Sequence, residues 1–301
     1  MVVIDQTVCN TPNINVIHRG PVIPIRPRLQ LDLRQPDSAN PVRIACHRGD
    51  WRNYVENTLE AVESCIAMGA DIVEIDVRRT KDGHLIVMHD ETLDRTSNGK
   101  GRICDHTLEE IRALRLKDGL GNITDFTIPT VEEVLLLAKD RIIVNLDKAD
   151  VCLGEVYQLL EKTGMVSQTI LKSESTYEKM IEKWGDLMEK VVFMPVFNLS
   201  KKTKPEDLRS LFAPHHQLYE INFEEEDLEK LLLIKKLATQ TGGSLWINTI
   251  WPTTCGGHND DRALKDQDAT WGFVIDVLGA GVLQTDRPQM MLKYLESRGD
   301  H

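Results

Sequence analysis

No apolar run in the chain approaches the ~18 residues a membrane helix needs. The longest, Val134 to Ala138 and Leu231 to Leu237, are short or carry lysines. The first residues show no basic segment leading into an apolar core of about 7–15 residues, so no signal peptide is expected. A processed exported protein would read the same way, which leaves the compartment open. Positive charge is in deficit, with 36 Lys and Arg against 47 Asp and Glu, a net −11 and a pI near 5.3. That field repels phosphate backbones and anionic lipid, so general nucleic-acid binding and stable membrane insertion are not expected. Aromatic residues are scarce at 5%. The six cysteines (Cys9, Cys46, Cys65, Cys104, Cys152, Cys255) show no C-x-x-C spacing, which argues against zinc and against a dense disulfide framework.

What is present is ordinary for a folded protein: 41% hydrophobic and 28% charged residues. A length of 301 residues suits either two average domains or one α/β barrel of about 250 residues. Residues 1–40 differ from the rest. Pro12, Pro21, Pro24, Pro27 and Pro36 break any helix there, and Asn10, Asn13 and Asn15 favour turns. An extended N-terminal arm, with room for one short strand, is expected over 1–40, followed by a catalytic domain over 41–301.

From Val42 onward, apolar β-branched runs recur at 42–46, 72–77, 142–147, 169–172, 191–196, 218–223, 244–248 and 282–285. Helix-sized stretches separate most of them, which argues for βα units and a parallel sheet. Helix starts are marked by Thr107 with Glu110, Thr130 with Glu133 and Ser175 with Glu178, each spaced as a capping box. Thr58 can cap a further helix that Gly69 stops, and Asp286 then Pro288 opens the last one. Eight units in about 260 residues predict an α/β fold, a TIM (β/α)8 barrel. The long gap over about 78–141 is read as a small insertion after the second strand. It holds a hairpin-like segment from Gly83 to His89, a loop from Thr96 to Gly101 and two helices.

A TIM barrel keeps its active site at the C-terminal ends of its strands. The first strand ends in Cys46-His47-Arg48-Gly49-Asp50, the second carries Glu74 and Asp76, the third ends in Asn145-Leu146-Asp147-Lys148, and the fourth ends at Lys172. Glu74 and Asp76 are two apart and so share a face. Two unpaired inward carboxylates are costly to bury. A divalent cation would neutralise them, with Asp147 as third ligand, and an all-oxygen set suits Mg²⁺ or Ca²⁺. The other solution is a structural ion-pair network with Arg48, Lys148 or Arg78. His47 and His89 are the acid–base candidates, because a pKa of about 6.5 suits proton transfer near neutrality. Arg48 offers a planar fork for phosphate oxygens.

Several features have plainer readings. His18-Arg19-Gly20 repeats the tripeptide but leads into proline-rich sequence, and is assigned to the arm. Glu224 to Asp227 reads as a solvated helix start. Trp246 and Trp251 either wall a substrate or pack the core. Gly256-Gly257 is a turn, and Cys46 a small buried hydrophobe.

These residues resemble the glycerophosphodiester phosphodiesterase family. The resemblance is carried by His47-Arg48-Gly49, Glu56-Asn57-Thr58, Gly69-Ala70-Asp71, Glu74-Ile75-Asp76-Val77, Thr80-Lys81-Asp82-Gly83, His89-Asp90, Leu93-x-Arg95-Thr96 and Thr285-Asp286-Arg287-Pro288. It runs from about Val42 to Leu295. It implies a TIM-barrel phosphodiesterase with an insertion after the second strand and a divalent metal. The implied reaction converts glycerophosphodiesters to glycerol 3-phosphate and an alcohol. On the matching positions, His47 and His89 are the implied acid–base pair, Arg48 grips phosphate, and Glu74 and Asp76 bind the metal. One departure stands out. The family's third strand supplies a glutamate and, two residues on, a lysine. Here Asn145 stands at the first of those positions, with Asp147 and Lys148 adjacent. Asp147 could replace the glutamate and Lys148 the phosphate-binding lysine, with Lys172 as a rival. Adjacent residues on a regular strand face opposite ways, so one of the two must lie beyond the strand end or in a bulge.

The leading expectation is therefore a metal-dependent phosphodiesterase acting on a small soluble glycerophosphodiester. Two alternatives are a related barrel acting on intact phospholipid or sphingolipid, and a non-catalytic phosphate-ligand binding protein. The sequence leaves the alcohol head group and the oligomeric state open.

Overall fold

The computed structural model describes residues 41–212 and 216–301. The expected arm and the His18-Arg19-Gly20 copy lie outside the described residues. Eight parallel strands close into a barrel: β1 (Arg43–Cys46), β2 (Ile72–Arg79), β4 (Ile143–Asp147), β5 (Thr169–Ser173), β6 (Val192–Leu199), β7 (Leu218–Phe223), β8 (Ser244–Asn248) and β9 (Ala280–Thr285). Closure comes from β1, which pairs with β9 through Arg43↔Val282 to Cys46↔Thr285 and with β2 through Ala45↔Ile72. The chain is the TIM barrel expected from the alternation. Among the described residues, no helix is long and apolar enough to cross a membrane.

Side-chain alternation sorts each barrel strand into two faces. The outward face packs on the helices in two large apolar clusters. The inward face begins with a floor to which every barrel strand gives one residue: Ala45, Ile72, Ile143, Ile170, Met194, Leu218, Trp246 and Val282. All are 0–1% exposed. Complete burial of each large member is worth about 1.5–3 kcal/mol.

The helices begin and end where their side chains satisfy the free backbone groups. Thr58 accepts from Ala61 N at the start of α1 (Leu59–Met68), and Gly69 ends it in the left-handed region at φ 84°. Two of the three expected capping boxes form, at α2 (Leu108–Arg112) and α3 (Val131–Ala138). The third, at Ser175, does not. Thr176 instead caps α4 (Tyr177–Trp184) by accepting Lys179 N–H, while Ser175 N–H donates to Ser173 Oγ.

The departure from the barrel pattern lies between β2 and α3. Strand β3 (Leu85–Val87) folds antiparallel onto β2, with Val77↔Val87 and Arg79↔Leu85 in register. A separate small core, Val55, Ile86, Met88, Leu93, Ile103, Ile111, Leu116 and Ile128, holds this segment against the loop after β1. Helix α3 packs with Val73 and Val144 of the barrel. It lies between the inserted segment and β4, in the barrel's outer layer of helices.

Candidate active site

Two residues beyond the apolar floor, the same inward face becomes polar. In strand order it carries His47, Glu74, Asn145, Lys172, Val196, Glu220, Asn248 and Gln284, of which only Val196 is apolar. Another step of two reaches Asp76 and Asp147. Period-two alternation thus delivers the charged strand ends to one mouth.

Glu74, Asp76 and Asp147 come together there, each with a carboxylate oxygen within 4.8 Å of the others. The register explains it, since Glu74 pairs with Asn145 and Asp76 with Asp147. Glu74 is 1% exposed and accepts Arg48 N–H at 2.9 Å. Burial, and next the Asp76 charge, push its pKa up to about 7. Asp76 behaves oppositely. Burial works to raise it, but Lys148 and Arg48 hold it well below the ordinary carboxylate range. Asn57 braces Asp76 twice: its Nδ2 donates to Oδ2 at 2.9 Å, and its Oδ1 accepts Asp76 N–H at 3.2 Å.

Lys148 lies just past the end of β4 with φ 60°. That left-handed step reverses the alternation, so Lys148 Nζ reaches Asp76 Oδ1 and lies 3.4 Å from Asp147 Oδ2. Arg48 also takes a positive φ, 53°. Its Nε stands 3.6 Å from Asp76 Oδ2, and its Nη1 donates to Glu56 Oε1 at 3.2 Å. Lys172 is buried deeper, 3.4 Å from Asp147 Oδ2 and 3.3 Å from Glu220 Oε2. Burial opposes its charge, but Asp147 and Glu220 outweigh that and raise its pKa. Arg78 stays out of this network and donates to the backbone carbonyls of His89 and Asp90. Three cations therefore surround the carboxylates. Among the described residues, Glu74 alone of the three makes no side-chain ion pair.

Both histidines are held the same way. His47 Nδ1 bonds Asp286 Oδ1 at 2.7 Å, and His89 Nδ1 bonds Asp90 Oδ1 at 2.7 Å. A carboxylate only accepts, so Nδ1 is the donating nitrogen in each ring. Trp51 Nε1 donates to Asp286 Oδ1 at 2.6 Å, and the exposed Trp251 meets the His47 ring edge-on at 5.4 Å between centroids. Burial, before any other influence, lowers the His89 pKa. Hydrogen bonds from Arg95 keep Asp90 ionised. Arg95 clamps two carboxylates at once, Asp90 through Nε and Nη2 at 2.8 Å each, and Glu56 through Nη1 and Nη2 at 2.9 and 3.0 Å.

The expected residues His47, His89, Arg48, Lys148, Lys172, Glu74, Asp76 and Asp147 thus share one mouth. Trp246 does not join them. It belongs to the floor, is 0% exposed, and donates Nε1 to Asn248 Oδ1 at 2.8 Å and Gln284 Oε1 at 3.1 Å. Of the two readings for Trp246, packing is the one its surroundings fit. Sequence reasoning gave no part in the site to Asp286, Asp90 or Glu220; it read Asp286 as opening the last helix, whereas Arg287 is the residue at that helix start and Asp286 turns to His47. Asp286 and Glu220 carried a signal, because each continues the inward parity of its strand.

A model of the glycerophosphoryl diester phosphodiesterase family matches residues 47–236, and a model of a domain of unknown function matches 193–295. A glycerophosphodiester phosphodiesterase of Caldanaerobacter subterraneus subsp. tengcongensis is 46% identical over 106 residues, covering 35% of this chain and 44% of the relative. One of Bacillus altitudinis is 46% identical over 100 residues, covering 33% and 41%. The chain spans less than half the length of these two curated relatives. The crystal structure of a glycerophosphoryl diester phosphodiesterase from Parabacteroides distasonis superposes with a TM-score of 0.72 at 26% identity, covering 88% of this chain and 90% of that one.

Proposed function

The chain belongs to the glycerophosphoryl diester phosphodiesterase family, and from that premise we propose that it hydrolyses soluble glycerophosphodiesters to glycerol 3-phosphate and an alcohol. One observation carries the reading. A cluster of three carboxylates shares a barrel mouth with two histidines, each tied through Nδ1 to its own aspartate. A purely structural ion-pair network has no use for two imidazole Nε2 atoms that make no hydrogen bond among the described residues.

Glu74, Asp76 and Asp147 would hold one divalent cation, Mg²⁺ or Ca²⁺. Two features of the site fit such an ion. The donors are all oxygens, and Asn145 Oδ1 beside Glu74 is buried with no hydrogen-bond partner among the described residues. Bound there, the cation would polarise the phosphoryl group and offset charge that grows in the transition state.

The remaining roles fall to the protein's own side chains. Arg48 and Lys148 would bind the phosphoryl oxygens as donors already fixed in place. One histidine would take a proton through Nε2 from the nucleophile, either water or the neighbouring glycerol hydroxyl. The other would protonate the leaving alkoxide. Asp286 and Asp90 would hold the rings and stabilise the imidazolium form. The deciding experiment is release of glycerol 3-phosphate from glycerophosphocholine with added Mg²⁺ or Ca²⁺ and again with EDTA, with phosphatidylcholine vesicles as the contrast. Release from the soluble diester is expected, abolished by EDTA. No release with either ion from any glycerophosphodiester would overturn the reading.

A further inference from the structure

Asp260 opens the one-turn helix α5 (Asp260–Ala263) that follows β8, and its carboxylate is buried at 1% exposure. It accepts four hydrogen bonds, two on each oxygen. Oδ1 takes Thr249 Oγ1 at 2.9 Å and Trp271 Nε1 at 3.0 Å. Oδ2 takes Thr285 Oγ1 at 2.8 Å and the backbone N–H of Asp286 at 2.7 Å. One oxygen therefore anchors Asp260 to the scaffold, and the other grips the end of β9.

That end needs a grip. Strand β9 stops at Thr285, so the sheet ladder no longer fixes Asp286. His47 also lies beyond its strand, held there by its N–H to Thr285 O at 3.1 Å. Asp286 Oδ1 must meet His47 Nδ1 and Trp51 Nε1 together, at 2.7 and 2.6 Å. Two bonds that short leave little slack at the root of the side chain. A second buried carboxylate beside Asp286 is also expensive. Burial pushes the Asp260 pKa up to about 6 even against its hydrogen bonds. An apolar residue would avoid that cost but could not accept the Asp286 N–H.

We propose that Asp260 is a positioning residue for His47: it fixes the end of β9, so that Asp286 holds the imidazole in its working orientation. The proposal rests on the reading of His47 as a proton-transfer group. The two oxygens of Asp260 allow it to be separated from plain structural support. Asp260→Asn sets an NH₂ against one pair of donors. Thr285→Val removes a bond on the β9 side, and Trp271→Phe removes one on the scaffold side.

Purified variants would be compared by thermal melting, by steady-state turnover of glycerophosphocholine, and by the NMR signal of the His47 Nδ1 proton, assigned by its loss in His47→Gln. Asp260→Asn and Thr285→Val are expected to lower kcat by about 10-fold or more with little change in KM, and to shift or broaden the His47 signal. Trp271→Phe is expected to lower Tm while leaving that signal in place and kcat within about 2-fold of wild type. The proposal is overturned if the β9-side variants keep both kcat and the signal. It is equally overturned if Trp271→Phe loses activity in step with its Tm. Should Asp260→Asn fail to fold, the other two variants decide. If the wild type cleaves no diester, the functional reading falls, and the NMR comparison still decides the positioning.

Discussion

Lys148 crosses to Asp76 on the neighbouring strand because a single left-handed residue, at φ 60°, follows the end of β4. Asp147 and Lys148 are adjacent, yet both reach the same cluster. The resemblance implies an acid and a lysine two positions apart at this strand end. Here a backbone reversal brings an aspartate and a lysine to one cluster at a spacing of one.

That geometry separates the two lysines by experiment. Lys148→Met should lower turnover by ~10²-fold or more, the scale of losing one preorganised donor, with modest loss of stability. Lys172→Met should cost less turnover but more stability. It strands Glu220 and leaves Asp147 one cation short, and breaking a buried pair costs about 3–5 kcal/mol. Adding Glu220→Gln should recover part of that stability. Denaturant unfolding and steady-state kinetics on the same samples check both. The reverse ranking in turnover would transfer the phosphate role to Lys172.

His47→Ala and His89→Ala should each reduce turnover by ~10²-fold or more, as expected for lost general acid–base catalysis. His18→Ala should remain near wild type. Equal losses at His18 and His47 would overturn the assignment of proton transfer to His47 rather than His18.

Glu74 predicts how the metal-free protein responds to pH. Its native pKa of about 7 exceeds the ordinary 4.5. Below the lower value both native and unfolded forms are protonated, and the native form keeps its full advantage. As pH rises through the window, the unfolded chain releases the proton first, so stability falls until the native group also ionises near 7. In EDTA, Tm should therefore fall between about pH 4.5 and 7 more steeply than in Glu74→Gln. Saturating Mg²⁺ or Ca²⁺ should raise Tm at pH 7.5 in wild type and much less in the variant. Identical profiles for the two proteins would count against burial of an ionisable Glu74 at the site.

Gly49→Ala should damage both stability and turnover. Gly49 has φ +77°, and a Cβ there would sit 2.7 Å from Ala61 Cβ on α1. The turn that carries His47 and Arg48 would have to move. A loss of about 1–3 kcal/mol is expected from the strained conformation alone. A variant with wild-type Tm and kcat would show that the turn relaxes freely.

Much of this was legible because barrel strands alternate. Runs such as Ile72 to Val77 and Ile143 to Asp147 show where apolar packing gives way to charge, and a period of two places Glu74, Asp76 and Asp147 on one face. Thr58, Thr107 and Thr130 mark helix starts through local hydrogen bonding that the sequence states directly. What could not be read depends on contacts distant in sequence. Asp286 lies 239 positions from the histidine it holds. Glu220 on β7 meets Lys172 on β5 past the intervening β6, a pairing that depends on the strand order. Trp246 is ambiguous by type, since indoles serve both as substrate walls and as core filling. The displaced cap at Thr176 reflects competition between two adjacent hydroxyl residues, which spacing alone does not resolve.

The floor formed by Ala45, Ile72, Ile143, Ile170, Met194, Leu218, Trp246 and Val282 also governs traffic. Among the described residues, these side chains close the barrel beneath the charged layer. On the proposed function, substrate and product would share the mouth above it, and a phosphorylated fragment retained by Arg48 and Lys148 would bar the next molecule from seating.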